Sequence, residues 1–172
     1  MKQKTLALTR GAMCIALGVL FLLLGQLIET LDLTIAALTA LLTLWILTEA
    51  GVANALCVYA GTALLSLLLL PSKTGALEYT VLFGLYPVVK KLCERKRWLG
   101  ICGKILYCNA MIVLYAFLAW KLLGIAFPNQ RYLLWLIALG NVVFWLYDLT
   151  LGMLLRFYAA RLRPRLYRRF HR

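Results

Sequence analysis

Apolar residues run through this chain in stretches too long for ordinary soluble helices, with short polar punctuation between them. The first stretch covers residues 11–28. Glu29-Thr-Leu-Asp32 then makes a short acidic connection, and residues 31–70 are almost continuously apolar. As one helix that segment would be about 60 Å long, roughly twice the hydrocarbon thickness of a bilayer. It must fold back, and Glu49-Ala-Gly51 is the plausible hinge, giving helices over 33–48 and 52–70. Pro71-Ser-Lys-Thr-Gly75 reads as a loop, because Pro ends a helix and Gly permits a turn. A short apolar segment, 76–89, carries Pro87, and two longer ones follow at 105–127 and 132–155. The pattern predicts an all-α integral membrane bundle of about six transmembrane helices, one domain over 1–172, with a basic tail at 156–172.

Charge decides whether the short fourth segment crosses. Alone, residues 76–89 also fit a re-entrant segment. With six crossings, three basic clusters share one side: Lys2, Lys4 and Arg10; Lys90, Lys91, Arg95, Lys96, Arg97 and Lys104; and the tail from Arg156 to Arg172. They hold 16 of the 19 Lys and Arg residues, leaving Lys73, Lys121 and Arg131 opposite. Dropping the fourth crossing separates the first cluster from the other two, against the positive-inside rule. Both termini are therefore expected in the cytoplasm, in a multi-pass protein of the cell membrane. Trp98, Trp120, Tyr132 and Trp135 near the expected helix ends fit interfacial belts.

Composition agrees, with 64% hydrophobic residues and a mean hydropathy of +0.87. The net charge of +13 suggests nucleic acid in a soluble protein, but here the bases flank apolar runs and serve orientation. Lys2, Lys4 and Arg10 resemble the basic start of a signal peptide. However, the apolar stretch is long and Gln26-Leu-Ile-Glu29 is a poor cleavage site, so a retained first helix is expected. Cys14, Cys57, Cys93, Cys102 and Cys108 form no C-x-x-C pair, and the only histidine is His171, so no metal or other cofactor is expected. No nucleophile elbow, phosphate-cradling glycine loop or ATPase motif is present, which argues against an enzyme.

Polar residues within lipid are costly and need partners or a role. Gln26, Glu49, Asn54, Glu78, Asn109, Asn141 and Asp148 qualify. Asn141, Trp145 and Asp148 share a helix face at i, i+4, i+7. Asn54, Asn109 and Asp148 fall at similar depth as an intramembrane polar cluster. That cluster either locks three helices together or forms a proton or cation site. A second group suits a small polar ligand arriving from outside: Gln26, Glu29, Asp32, Lys73, Glu78, Tyr79, Arg131, Tyr132 and Trp135. The candidate ligand residues are Glu78, Tyr79, Glu29, Arg131, Trp135, Asn141 and Trp145. Gly11, Ala12 and Ala16 offer a small-residue face for a close helix contact, either within the protein or with a partner.

Six spans, this length, the expected topology and Ala12-x-x-x-Ala16 together resemble the substrate-binding S components of energy-coupling factor (ECF) vitamin transporters. The stretches 58–71, 82–90 and 144–148 are similar to an uncharacterised group of small six-helix bacterial membrane proteins that look S-component-like. The resemblance implies capture of a small vitamin-like molecule from outside. It also implies docking of the Ala12/Ala16 face on a transmembrane coupling subunit driven by two ATPases. Two other readings stay open: a non-catalytic structural or morphogenesis membrane protein, and a small proton- or ion-coupled carrier.

Overall fold

A computed structural model describes residues 2–27, 31–94, 99–124 and 130–158. Among them the chain is helical throughout, apart from turns, and no strand occurs. The helices are α1 (Lys2–Gly25), α2 (Asp32–Glu49), α3 (Gly51–Leu69), α4 (Thr74–Leu77), α5 (Tyr86–Glu94), α6 (Leu99–Leu123) and α7 (Gln130–Phe157). A π-helical segment, Glu78–Phe83, joins α4 to α5. By length and composition, α1, α2, α3, α6 and α7 can each cross a membrane. Large apolar side chains face outward all round, with Leu8 75%, Leu68 79% and Met153 73% exposed. Water would penalise such a surface, whereas lipid accepts it. These features are those of a multi-pass membrane protein.

The first three helices pack closely on one another. Small residues allow this approach. A side chain at Gly18 would strike Thr62 Cγ2 at 2.9 Å, and one at Gly61 would strike Ile15 Cδ1 at 2.7 Å. The reversal between α2 and α3 falls at Gly51, whose φ of +86° is costly for any residue with a Cβ. The Ala50 amide donates to the Ile46 carbonyl, and the Asn54 amide donates to the Ala50 carbonyl, so the tight turn leaves few backbone groups unpaired.

The segment from Thr74 to Glu94 packs against α2 and α6, and α7 packs on α6. It runs the length of the bundle. Gly75 sits beside Asp32 at one end, and Lys90 meets Asp148 at the other. The short fourth stretch of the sequence is thus part of a longer, broken traverse. Its break has local causes. Pro87 has no amide proton to continue the helical ladder and stands in the first turn of α5, where none is needed. Gly84 leaves room for aromatic rings, since a Cβ there would meet Tyr59 Cδ2 at 2.7 Å and Tyr79 Cζ at 2.9 Å. The Gly84 amide reaches back five residues to the Tyr79 carbonyl at 2.7 Å, and Tyr59 OH donates to the Thr80 carbonyl at 2.8 Å. Irregular backbone at membrane depth needs such internal partners.

Polar links mark both ends of the bundle. At one end Gln26 Nε2 donates to the Ser72 carbonyl, and Lys73 Nζ donates to the carbonyls of Leu67 and Leu70, closing the C-terminus of α3. At the other, Glu49 accepts from Tyr158 OH at 2.6 Å and lies 3.8 Å from Arg10. Trp45 Nε1 donates to Tyr158 OH at 3.1 Å, so α1, α2 and α7 are tied there.

Candidate binding site between the broken helix, α6 and α7

Glu78 opens the π-helical segment and is 9% exposed. Its Oε1 accepts from Tyr115 OH on α6 at 3.3 Å. Its Oε2 is buried and has no hydrogen-bond partner among the described residues. The carboxyl group lines a cavity of about 320 Å³. Leu33 of α2, Leu82 and Phe83 of the π-helical segment, and Met111 and Ile112 of α6 form part of its wall. Leu139, Gly140, Val143 and Phe144 of α7 close it. Among the described residues, the polar groups in that lining are Glu78, Tyr115 and the thiol of Cys108. The π-helical turn matters here: its extra residue per turn changes which side chains face α6 and α7, and such turns recur at functional sites.

A second cavity, about 440 Å³, shares Cys108 and Phe144 with the first and is otherwise lined by Tyr86, Lys104, Ile105, Asn141, Trp145 and Asp148. Here the charges are partnered. Asp148 Oδ1 accepts from Lys90 Nζ at 2.6 Å and from Tyr86 OH at 2.5 Å, while Oδ2 lies 3.1 Å from Lys104 Nζ. Lys90 also donates to the Asp148 main-chain carbonyl at 2.7 Å and is only 4% exposed. Tyr86 stacks among Tyr107, Phe144 and Tyr147 with ring centroids 4.4–5.9 Å apart. Besides Glu78 Oε2, the buried hydroxyls of Tyr107 and Tyr147 find no hydrogen-bond partner among the described residues.

The expected polar cluster of Asn54, Asn109 and Asp148 does not assemble. Asn54 turns back to the Ala50 carbonyl, just before its own helix. Asn109 Oδ1 accepts from Asn141 Nδ2 at 3.0 Å, a pair linking α6 and α7. Asp148 pairs with two lysines and a tyrosine, because an ionised carboxylate at this depth is satisfied far better by ammonium groups than by amides. Tyr86, Lys90 and Lys104 are the partners that sequence reasoning passed over. One signal was available: Tyr86 and Lys90 are four residues apart on one helix and share a face. Reading Lys90 and Lys104 only as topology signals hid their pairing.

The expected outer ligand group is dispersed as well. Among the described residues of that group, Glu78 alone lines the cavity. Tyr79, one residue on, is fully buried on the opposite side, its hydroxyl 3.0 Å from Thr43 Oγ1 of α2. Trp135 is 70% exposed on the outer face of α7. Trp145 and Asn141 border the second cavity rather than the first. Glu29 lies outside the described residues, as does the side chain of Arg131. On α1, Ala12 and Ala16 face outward, while Gly11 and Gly18 pack toward α3. Against known proteins, no family model matches the chain, nor does any curated protein or solved structure.

Proposed function

We propose that this protein is the substrate-binding membrane subunit of a bacterial uptake system, placed in the cell membrane with its base-rich end toward the cytoplasm. The observation that carries this reading is the cavity behind the π-helical segment, lined by a buried Glu78 carboxyl oxygen that has no hydrogen-bond partner among the described residues. Leaving such a group unpaired costs stability, and binding sites are where proteins tolerate that cost. A volume near 320 Å³ is at the lower end of the range for small-molecule sites. On this reading Glu78 sits toward the outer side of the membrane, opposite Lys90 and Lys104, and the ligand enters from outside. The Asp148 ion pairs then have a structural role, fastening α5, α6 and α7 beneath the site.

With no ATPase motif in the chain, energy must come from a separate module. The outward-facing Ala12 and Ala16 offer a place for a transmembrane coupling subunit to approach closely. The test is a mild-detergent pull-down of the tagged protein from its native membrane, followed by mass spectrometry. Two ATPases and a larger membrane subunit should accompany the wild type and be lost from an Ala12→Leu/Ala16→Leu variant that still purifies as a folded protein. Recovery of cell-wall or shape proteins instead favours a structural role and overturns the proposal.

A further inference from the structure

We propose that the Glu78 cavity selects lipophilic amines: molecules with one protonated amino group on a compact apolar body. This rests on the reading of that cavity as the ligand site. The requirement comes from what the lining offers and what it lacks. Glu78 Oε2 has no hydrogen-bond partner among the described residues, and Tyr115 already serves Oε1. An ammonium group supplies both the missing hydrogen bonds and the compensating charge, and charge-assisted bonds are the strongest available in such surroundings. The rings of Tyr115, Phe83 and Phe144 also line the cavity, and aromatic faces attract cations.

The same lining disfavours other classes. A sugar or nucleotide brings many polar groups, each needing a partner, but among the described lining residues only Glu78, Tyr115 and Cys108 are polar. A carboxylate or phosphate ligand would face Glu78 with like charge. A bare metal ion needs several oxygen or nitrogen ligands, and no group of three or more His, Cys, Asp or Glu occurs among the described residues. The remaining wall is aliphatic and aromatic, which suits a hydrocarbon or aryl body.

The test uses full-length protein in lipid nanodiscs, with empty nanodiscs as the partition control. Three probes of similar shape are compared by equilibrium dialysis at pH 7: 2-phenylethylamine, 2-phenylethanol and 3-phenylpropanoate. The expected result is at least tenfold tighter binding of the amine than of the alcohol, and no binding of the acid. Glu78→Gln keeps the side-chain shape and an oxygen for Tyr115, and should erase the amine preference while leaving alcohol binding in place. Val143→Trp, which fills the cavity from α7, should weaken both. Circular dichroism and thermal unfolding check that each variant is folded.

Equal binding of amine and alcohol overturns the amine assignment, as does a preference that survives Glu78→Gln. In either case the ligand-site reading still stands if Val143→Trp blocks the probes. Binding unaffected by Val143→Trp, or no binding above empty nanodiscs, removes the site and the assignment together.

Discussion

The two halves of this bundle bury polar groups in different ways. In α1–α3 several are satisfied by the preceding turn of backbone, beside the longer links made by Thr43, Tyr59 and Glu49. Thr39 donates to the Ile35 carbonyl, Asn54 to Ala50 and Ser66 to Ala63. Each of these bonds forms as the helix forms and asks nothing of a distant residue. In the half from Thr74 onward, polar groups meet across helices. Lys90, Tyr86 and Lys104 converge on Asp148 from two elements, Asn141 reaches Asn109, and Tyr115 reaches Glu78. Glu78 Oε2, Tyr107 OH and Tyr147 OH, which have no hydrogen-bond partner among the described residues, lie in this half. The packing differs accordingly. The first half is closed by glycines, alanines and threonines at short range, while the second keeps two cavities. The first half is closely packed, and the second lines both cavities.

Mutations can break or sharpen this contrast. The largest effect is expected from Asp148→Ala, which strands two lysine charges, one of them nearly buried. Loss of one partner from such a pair typically costs on the order of 3 kcal/mol. Lys90→Met combined with Asp148→Leu should cost less than Asp148→Ala alone, because no uncompensated lysine remains at position 90. Unfolding measured in mixed micelles gives the ordering, and equal losses would mean that the pairs do not hold the second half together. Next is Gly84→Ala, which pushes a methyl group into the rings of Tyr59 and Tyr79 and should cost about 2 kcal/mol. Thermal unfolding should show this loss, and unchanged stability would mean the broken traverse relaxes freely. The smallest effect is expected from Thr39→Val, which removes only a bond to its own helix and should stay within about 0.5 kcal/mol. A loss as large as that of Asp148→Ala would erase the distinction between the halves.

Much of the architecture was legible in the order of residues. Long apolar runs gave the helical membrane class, since only helices and closed barrels satisfy backbone groups in lipid. Gly51 and the Pro71–Gly75 stretch marked reversals through backbone chemistry that neighbours cannot change. The extent of the fourth traverse was less legible. Residues 76–89 looked short because Lys90 and Lys91 were counted as loop, yet both continue α5, where Lys90 meets Asp148 and Lys91 donates to the Leu47 carbonyl. Glu78 stood out as a polar residue inside an apolar stretch, and it lines the first cavity. Tyr79 was grouped with it, although a step of one residue on a helix turns a side chain by about 100° and sends it to another face.

The sequence by itself determined that the chain is helical, that its helices are apolar enough for a bilayer, and where the chain must turn. Those properties depend on residues close together along the chain, through hydrophobic run length, glycine torsion and proline's missing donor. Only the tertiary structure decided which polar groups meet. Asp148 found lysines 44 and 58 residues away rather than amides at similar depth, and Glu78 was left facing a cavity walled by α2, α6 and α7. The physical reason is that a buried charge takes its strongest available partner in space, whatever their separation along the chain.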